Sequence, residues 1–151
     1  MKALRYVLRS LPEGGDLLCL PGEAEMAWIR DNRRERLQST VAPSQESTPP
    51  WRLPYPDGQF LCVADFGWVA GLREPKQRQH ALQEWARLAS RYLLLKTFHP
   101  FALTTGGRFT RLHRHWEREL EAFQFRPLAR AAPAFARQPD WYCLYRREVS
   151  P

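Results

Sequence analysis

The run Phe60-Leu61-Cys62-Val63-Ala64 constrains this chain more than any other stretch. Successive side chains of a strand point to opposite faces, so a run that is apolar throughout has both faces to bury. The strand starting at Gln59 is therefore expected at the centre of a sheet. Asp65 follows at its end, and Phe66 to Gly71 is expected to turn and continue as a second short strand. Leu17 to Leu20 reads as a short apolar strand ended by Pro21-Gly22. Trp141 to Val149 reads as a closing strand, with Trp141, Cys143 and Tyr145 alternating against Tyr142, Leu144 and Arg146. Near the start, Leu4, Tyr6 and Leu8 alternate with Arg5, Val7 and Arg9, which predicts a half-exposed strand.

Three stretches have helical spacing. Glu23 to Leu37 carries glutamates in its first turn and Arg33, Arg34 and Arg36 in its last turns, matching the helix dipole. Its apolar stripe, Met26, Ile29 and Leu37, is thin, and Trp28 lies off it. Pro75 to Lys96 is the longest candidate, with Pro75 at a first helical position and Leu82, Trp85, Ala89, Tyr92 and Leu93 near one face. Leu93-Leu94-Leu95 suits a strand equally well, which leaves that boundary open. The third stretch, Thr110 to Phe123, is entered through Gly106-Gly107. Leu112, Trp116, Leu120 and Phe123 fall on one face, and Arg111, Arg114, His115 and Arg118 on another. Residues 39–56 form a proline-rich loop, and Pro127, Pro133 and Pro139 forbid one uninterrupted helix over 125–138, leaving room for a short helical turn. The whole reads as a single basic globular domain over 1–151, α+β or compact α/β. Its small sheet of about four strands is expected to pack against two or three helices.

The formal charge is +7, from 23 Lys plus Arg against 16 Asp plus Glu. Only three of the cations are lysine, and 16 alanines with a single isoleucine trace that bias to GC-rich codons. Codon bias does not account for the net excess, which favours a polyanion or an acidic protein surface as partner. Cys19, Cys62 and Cys143 are odd in number and widely spaced, and each lies in an apolar run. Buried free thiols in strands are expected, in a reducing compartment. With no apolar run of membrane-spanning length and no apolar signal-peptide core, the chain is expected in the cytoplasm.

No signature of a metal site, phosphate loop or nucleophile elbow is present, so neither a metal nor a cofactor is expected. Asp65 at a strand end could join His113 or His115 as a hydrolytic pair. An Asx-type turn, with its carboxylate on nearby amides such as those of Phe66 or Gly67, explains it more simply. The remaining signal is the arginine face. Arg108, Arg111, Arg114, His115 and Arg118, with Arg126 beyond them, could follow a phosphate backbone near a glycine turn. The sequence therefore points to a non-enzymatic nucleic-acid-binding accessory protein. Two alternatives stand beside it. One is a subunit or inhibitor that docks on a larger protein or ribonucleoprotein complex through Trp and Arg anchors. The other is a small hydrolase or nuclease that uses Asp65 with a histidine.

Overall fold

The computed structural model describes residues 2–20, 22–40, 51–98, 111–132 and 140–148. Helix α1 (Lys2–Leu8) opens the chain and is followed by strand β1 (Asp16–Leu20), helix α2 (Glu23–Asn32) and strand β2 (Arg36–Ser39). Strand β3 (Phe60–Asp65) leads through a 3₁₀ turn (Val69–Gly71) to helix α3 (Pro75–Leu88) and strand β4 (Ala89–Phe98). Helix α4 (His113–Glu121) and strands β5 (Phe125–Ala131) and β6 (Asp140–Arg147) complete it.

The strands form one six-stranded sheet in the order β2-β1-β3-β4-β6-β5. β2, β1, β3 and β4 pair in parallel, and β6 runs antiparallel to both β4 and β5. The mixed sheet flanked by helices bears out the α+β class, with more strands than the four expected. β3 is interior, as its two apolar faces require. Alternation along the strands divides the core in two. Leu18, Leu20, Val63, Leu93, Leu95 and Tyr145 face α3 and α4, where Trp85, Trp116 and Leu120 are buried. Leu17, Cys19, Cys62, Ala64, Leu94 and Leu144 face α1 and α2, where Leu4, Val7, Leu8 and Ile29 are buried. All three cysteines are free and buried in strands, as expected.

Several boundaries differ from the sequence reading. Residues 2–8 are helical, because Ala3, Leu4, Val7, Leu8 and Leu11 form one buried stripe while Tyr6 is 56% exposed. The helix expected to reach Leu37 stops at Asn32. The extended Arg33 turns its guanidinium onto the carbonyls of Leu8 (3.0 Å) and Leu11 (2.8 Å) at the end of α1, and Leu37 becomes part of β2. The long helix from Pro75 ends at Leu88, and Ala89 to Phe98 is the strand that Leu93-Leu94-Leu95 hinted at. Phe66 to Gly71 is a turn rather than a strand, and Phe125 to Ala131 is a strand rather than a helical turn. The end of the proline-rich loop is pinned to α3. Arg87 donates to the carbonyls of Leu53 (3.1 Å) and Tyr55 (2.8 Å), and Trp51 packs edge-on to Trp68 at 5.2 Å. Residues 41–50 lie outside the described residues.

Candidate active site

The parallel strands place the carboxyl ends of β1, β2, β3 and β4 along one edge of the sheet. β1 connects outward to β2, whereas β3 connects to β4 on the other side, so the chain reverses its direction of travel between β1 and β3. In open α/β sheets that reversal leaves a crevice where ligands bind. Gly22 and the first turn of α2 stand at the end of β1, and Asp65 to Trp68 at the end of β3. Lys96 lies near the end of β4, and the antiparallel β6 begins at the same edge with Asp140 to Tyr142.

Asp65 is fully buried. Its carboxylate accepts from the amides of Gly67 (3.0 Å), Trp68 (2.7 Å) and Val69 (3.1 Å), and from Trp85 Nε1 (3.0 Å). Burial raises its pKa, and these N–H donors offset that rise only in part. Every partner is a donor, so the carboxylate is satisfied as an anion and fixes the turn after β3. This is the Asx-type role, extended to a buried indole. Gly67 in that turn has φ +117°, which only glycine adopts without strain.

A second constellation joins three elements. Glu25, in the first turn of α2 and 4% exposed, accepts from Lys96 Nζ (2.8 Å) and Tyr142 Oη (3.0 Å). Burial raises the Glu25 pKa, but the Lys96 hydrogen bond, its own backbone amide, the Lys96 charge and the Tyr142 hydroxyl outweigh this and leave it below the ordinary value. Burial and the adjacent Glu25 push the Tyr142 hydroxyl up. At neutral pH the cluster therefore holds an anionic carboxylate and a protonated phenol. Lys96 also reaches Asp140 at 3.7 Å. Sequence reasoning missed this group, because its members are far apart in the chain and only the strand order assembles them.

The arginine face does not assemble as expected. Arg111 lies against the protein, with both terminal nitrogens on Glu119 at 3.1 Å and its guanidinium 4.5 Å above the Trp116 ring. Glu119 is shared with Arg78, whose Nε lies 3.1 Å from it. Arg114 and Arg118 are exposed, and His115 is partly covered. Arg126 sits on β5 and pairs with Glu148. Arg108, Gly106 and Gly107 lie outside the described residues, and α4 begins at His113 rather than Thr110. The hydrolytic pair is not formed either. Asp65 is committed to its turn and to Trp85, while His113 stacks edge-on against Trp141 at 4.8 Å.

No protein-family model matches the chain, and no curated protein does. Solved structures do. A chain of the complex between the Haloferax volcanii Trm112 methyltransferase activator and the putative methyltransferase superposes with a TM-score of 0.72 at 10% identity, covering 99% of this chain and 90% of that one. A SAM-dependent methyltransferase from Aquifex aeolicus gives 0.66 at 14%, over 95% and 88%. The [4+2]-cyclase SpnF gives 0.69 at 12%, over 99% and 81%. The chain shares the Rossmann-like fold of these enzyme structures. This likeness overturns the reading as a non-enzymatic nucleic-acid-binding accessory protein, along with the expectation of binding rather than catalysis. The sequence-based alternatives, docking subunit and Asp65–histidine hydrolase, are set aside with it.

S-adenosylmethionine is the cofactor named for several of the matched structures, and the described residues of this chain do not fit that group held in the usual way. A nucleoside cofactor at this crevice needs glycines where the first strand turns into its helix, so that backbone can approach it, and a carboxylate after the next strand for the ribose hydroxyls. From 22 to 25 the chain reads Gly-Glu-Ala-Glu, with one glycine. A Cβ placed on Gly22 would lie 2.5 Å from Phe66 Cβ, so the close approach this glycine permits is already taken by a side chain of the β3 turn. β2 and the residue after it, Arg36 to Thr40, contain no carboxylate.

Proposed function

We propose that the protein is an enzyme working at the carboxyl edge of its sheet, and that methyl transfer from S-adenosylmethionine is the reaction its fold supports best. The observation that carries this is the superposition of nearly the whole chain on structures titled methyltransferases, over 99% of it in one case and 95% in another. This chain's own residues supply a rigid frame there. Asp65 fixes the turn beside the crevice, and Glu25, Lys96 and Tyr142 tie the start of α2 to β4 and β6. Titration calorimetry with S-adenosylmethionine and S-adenosylhomocysteine, followed by a labelled-methyl transfer assay, tests the reading. Saturable binding of both with label transfer supports it, and no heat from either at millimolar concentration overturns methyl transfer.

The contact of Phe66 with Gly22 favours a second reading, an enzyme acting at the same edge on other chemistry. One matched structure is titled a [4+2]-cyclase, so the fold alone does not fix the reaction. Phe66→Ala separates the two readings. If Phe66 closes the cradle, the variant gains heat with S-adenosylhomocysteine that the wild type lacks. If the wild type already binds and the variant binds equally, Phe66 is no barrier and the second reading loses its support.

A further inference from the structure

The opposite, amino edge of the sheet carries a feature that the proposed activity does not use. A groove of about 530 Å³ opens where β4 begins, β6 ends and β5 begins. Four of its lining residues are arginines, Arg91, Arg126, Arg146 and Arg147, and its one acid is Glu148. Arg126 and Arg146 are direct cross-strand partners, and Arg146 is also the partner of Tyr92 on β4. Like charges directly opposite on adjacent strands destabilise a sheet. Glu148 offsets part of this through its ion pair with Arg126. Arg147 is held inward, donating to the carbonyls of Ala86 and Ala89 and lying 4.5 Å over the Phe125 ring. Arg91 and Arg146 are exposed and have no hydrogen-bond or ion-pair partner among the described residues. The groove thus gathers more positive charge than it neutralises, on strands about 4.8 Å apart.

We propose that this groove binds phosphate groups. A carboxylate has two coplanar oxygens and satisfies one guanidinium fork, whereas the oxygens of a phosphate point tetrahedrally, three on a terminal group and two on each linkage of a strand, and successive groups can meet forks arriving from several strands. Arg91, Arg126 and Arg146 come from three different strands, which suits the second geometry. The groove is also of the size that takes small ligands. The shared chemistry is the phosphate group, from a free polyphosphate or nucleotide or from the backbone of a nucleic-acid strand.

The test uses the full chain and two probes, inorganic tripolyphosphate by calorimetry and a short labelled single-stranded oligonucleotide by anisotropy. Binding of tripolyphosphate alone identifies a small phosphate compound as the source. Tighter, steeply salt-dependent binding of the oligonucleotide, displaced by tripolyphosphate, identifies a strand. The double substitution Arg91→Ala with Arg146→Ala is expected to weaken whichever binds by more than roughly tenfold. Both side chains are exposed, so circular dichroism should be unchanged. Should that variant misfold, Arg91→Lys with Arg146→Lys keeps the charge, removes the fork and is expected to give a smaller loss. Arg114→Ala with Arg118→Ala, on α4, is the control. Three results overturn the proposal: neither probe binds at low ionic strength, the α4 control loses as much as the groove variant, or a glutamate-rich peptide binds as tightly as the phosphate probes.

Discussion

Asp65 and Glu25 show how burial sorts two carboxylates near one sheet edge into different tasks. Asp65 meets four N–H donors, one of them Trp85 Nε1, and Trp85 is itself 0% exposed. Trp85→Ala therefore opens a cavity and removes a donor from a buried anion, and a loss of about 3–5 kcal/mol is expected in urea denaturation. Trp28, only partly buried, should lose less on the same substitution. Glu25 has its pKa lowered in the folded protein. Its contribution to stability is therefore present above the unfolded carboxylate value, about 4.3, and is lost as pH falls through the lower folded value. Glu25→Gln should lower the urea midpoint at pH 7 and flatten its fall on acidification. An unchanged acid limb would show that the Lys96 and Tyr142 contacts do not stabilise the charged form. The cysteines fit the same rule in the other direction, with burial pushing the Cys19 thiol up to about 12 and the Cys143 thiol up to about 11. Native-state labelling by a thiol reagent should be slow.

At the scale of elements, the residues that misled the reading were those compatible with two periods. Leu4 and Leu8 fit alternation by two and a helical stripe equally well, and Val7 decides for the helix because it is buried with them. The boundary between α3 and β4 is open in the sequence for a related reason: Tyr92 to Leu95, buried on both faces of the sheet, is an apolar run without alternation. β3 was legible because it is apolar throughout and short, with turn residues before it. On α4 the apolar seam was legible and Trp116 and Leu120 are buried, but the arginines behaved differently from one another. Helical spacing placed Arg111, Arg114 and Arg118 near one surface, yet Arg111 precedes the helix and folds back onto Trp116 and Glu119. Arg111→Ala is expected to cost about 1–3 kcal/mol, since a half-buried bidentate pair is broken while Arg78 still partners Glu119. Arg114→Ala and Arg118→Ala should each stay within about 0.5 kcal/mol. Chemical denaturation of the three variants checks this ranking, and equal small losses would return Arg111 to the solvated surface.

At the scale of the molecule, neither the strand order nor the candidate site could be read along the chain. Gly22 meets Phe66, and Glu25 meets Lys96 and Tyr142, only because β1, β3, β4 and β6 follow one another across the sheet, and no local motif encodes that adjacency. The turn after β1 also lacks the glycine-rich motif that would have pointed to a nucleotide-binding sheet. The aromatic content has a molecular logic too. Trp51, Trp68, Trp85, Trp116 and Trp141 all pack on the α3–α4 side of the sheet, and Trp28 alone packs on the α1–α2 side. Cys19 and Cys62 are buried on that second side. Tryptophan emission therefore reports chiefly one face of the sheet, and labelling of Cys19 and Cys62 reports the other. Both clusters are built on the same strands, with Leu18 beside Cys19 and Val63 beside Cys62, so neither side can be exposed without losing the ladder that supports the other. Urea titrations followed by tryptophan fluorescence and by accessibility of these two thiols are expected to share one midpoint, as a two-state domain requires. If labelling runs ahead of fluorescence, α1 and α2 detach before the sheet opens, and the α1–α2 side is a separate cooperative unit. Leu8→Ala then discriminates further. In the single-unit case it shifts both curves together, by the equivalent of about 2–5 kcal/mol, whereas in the two-unit case it moves the labelling curve alone.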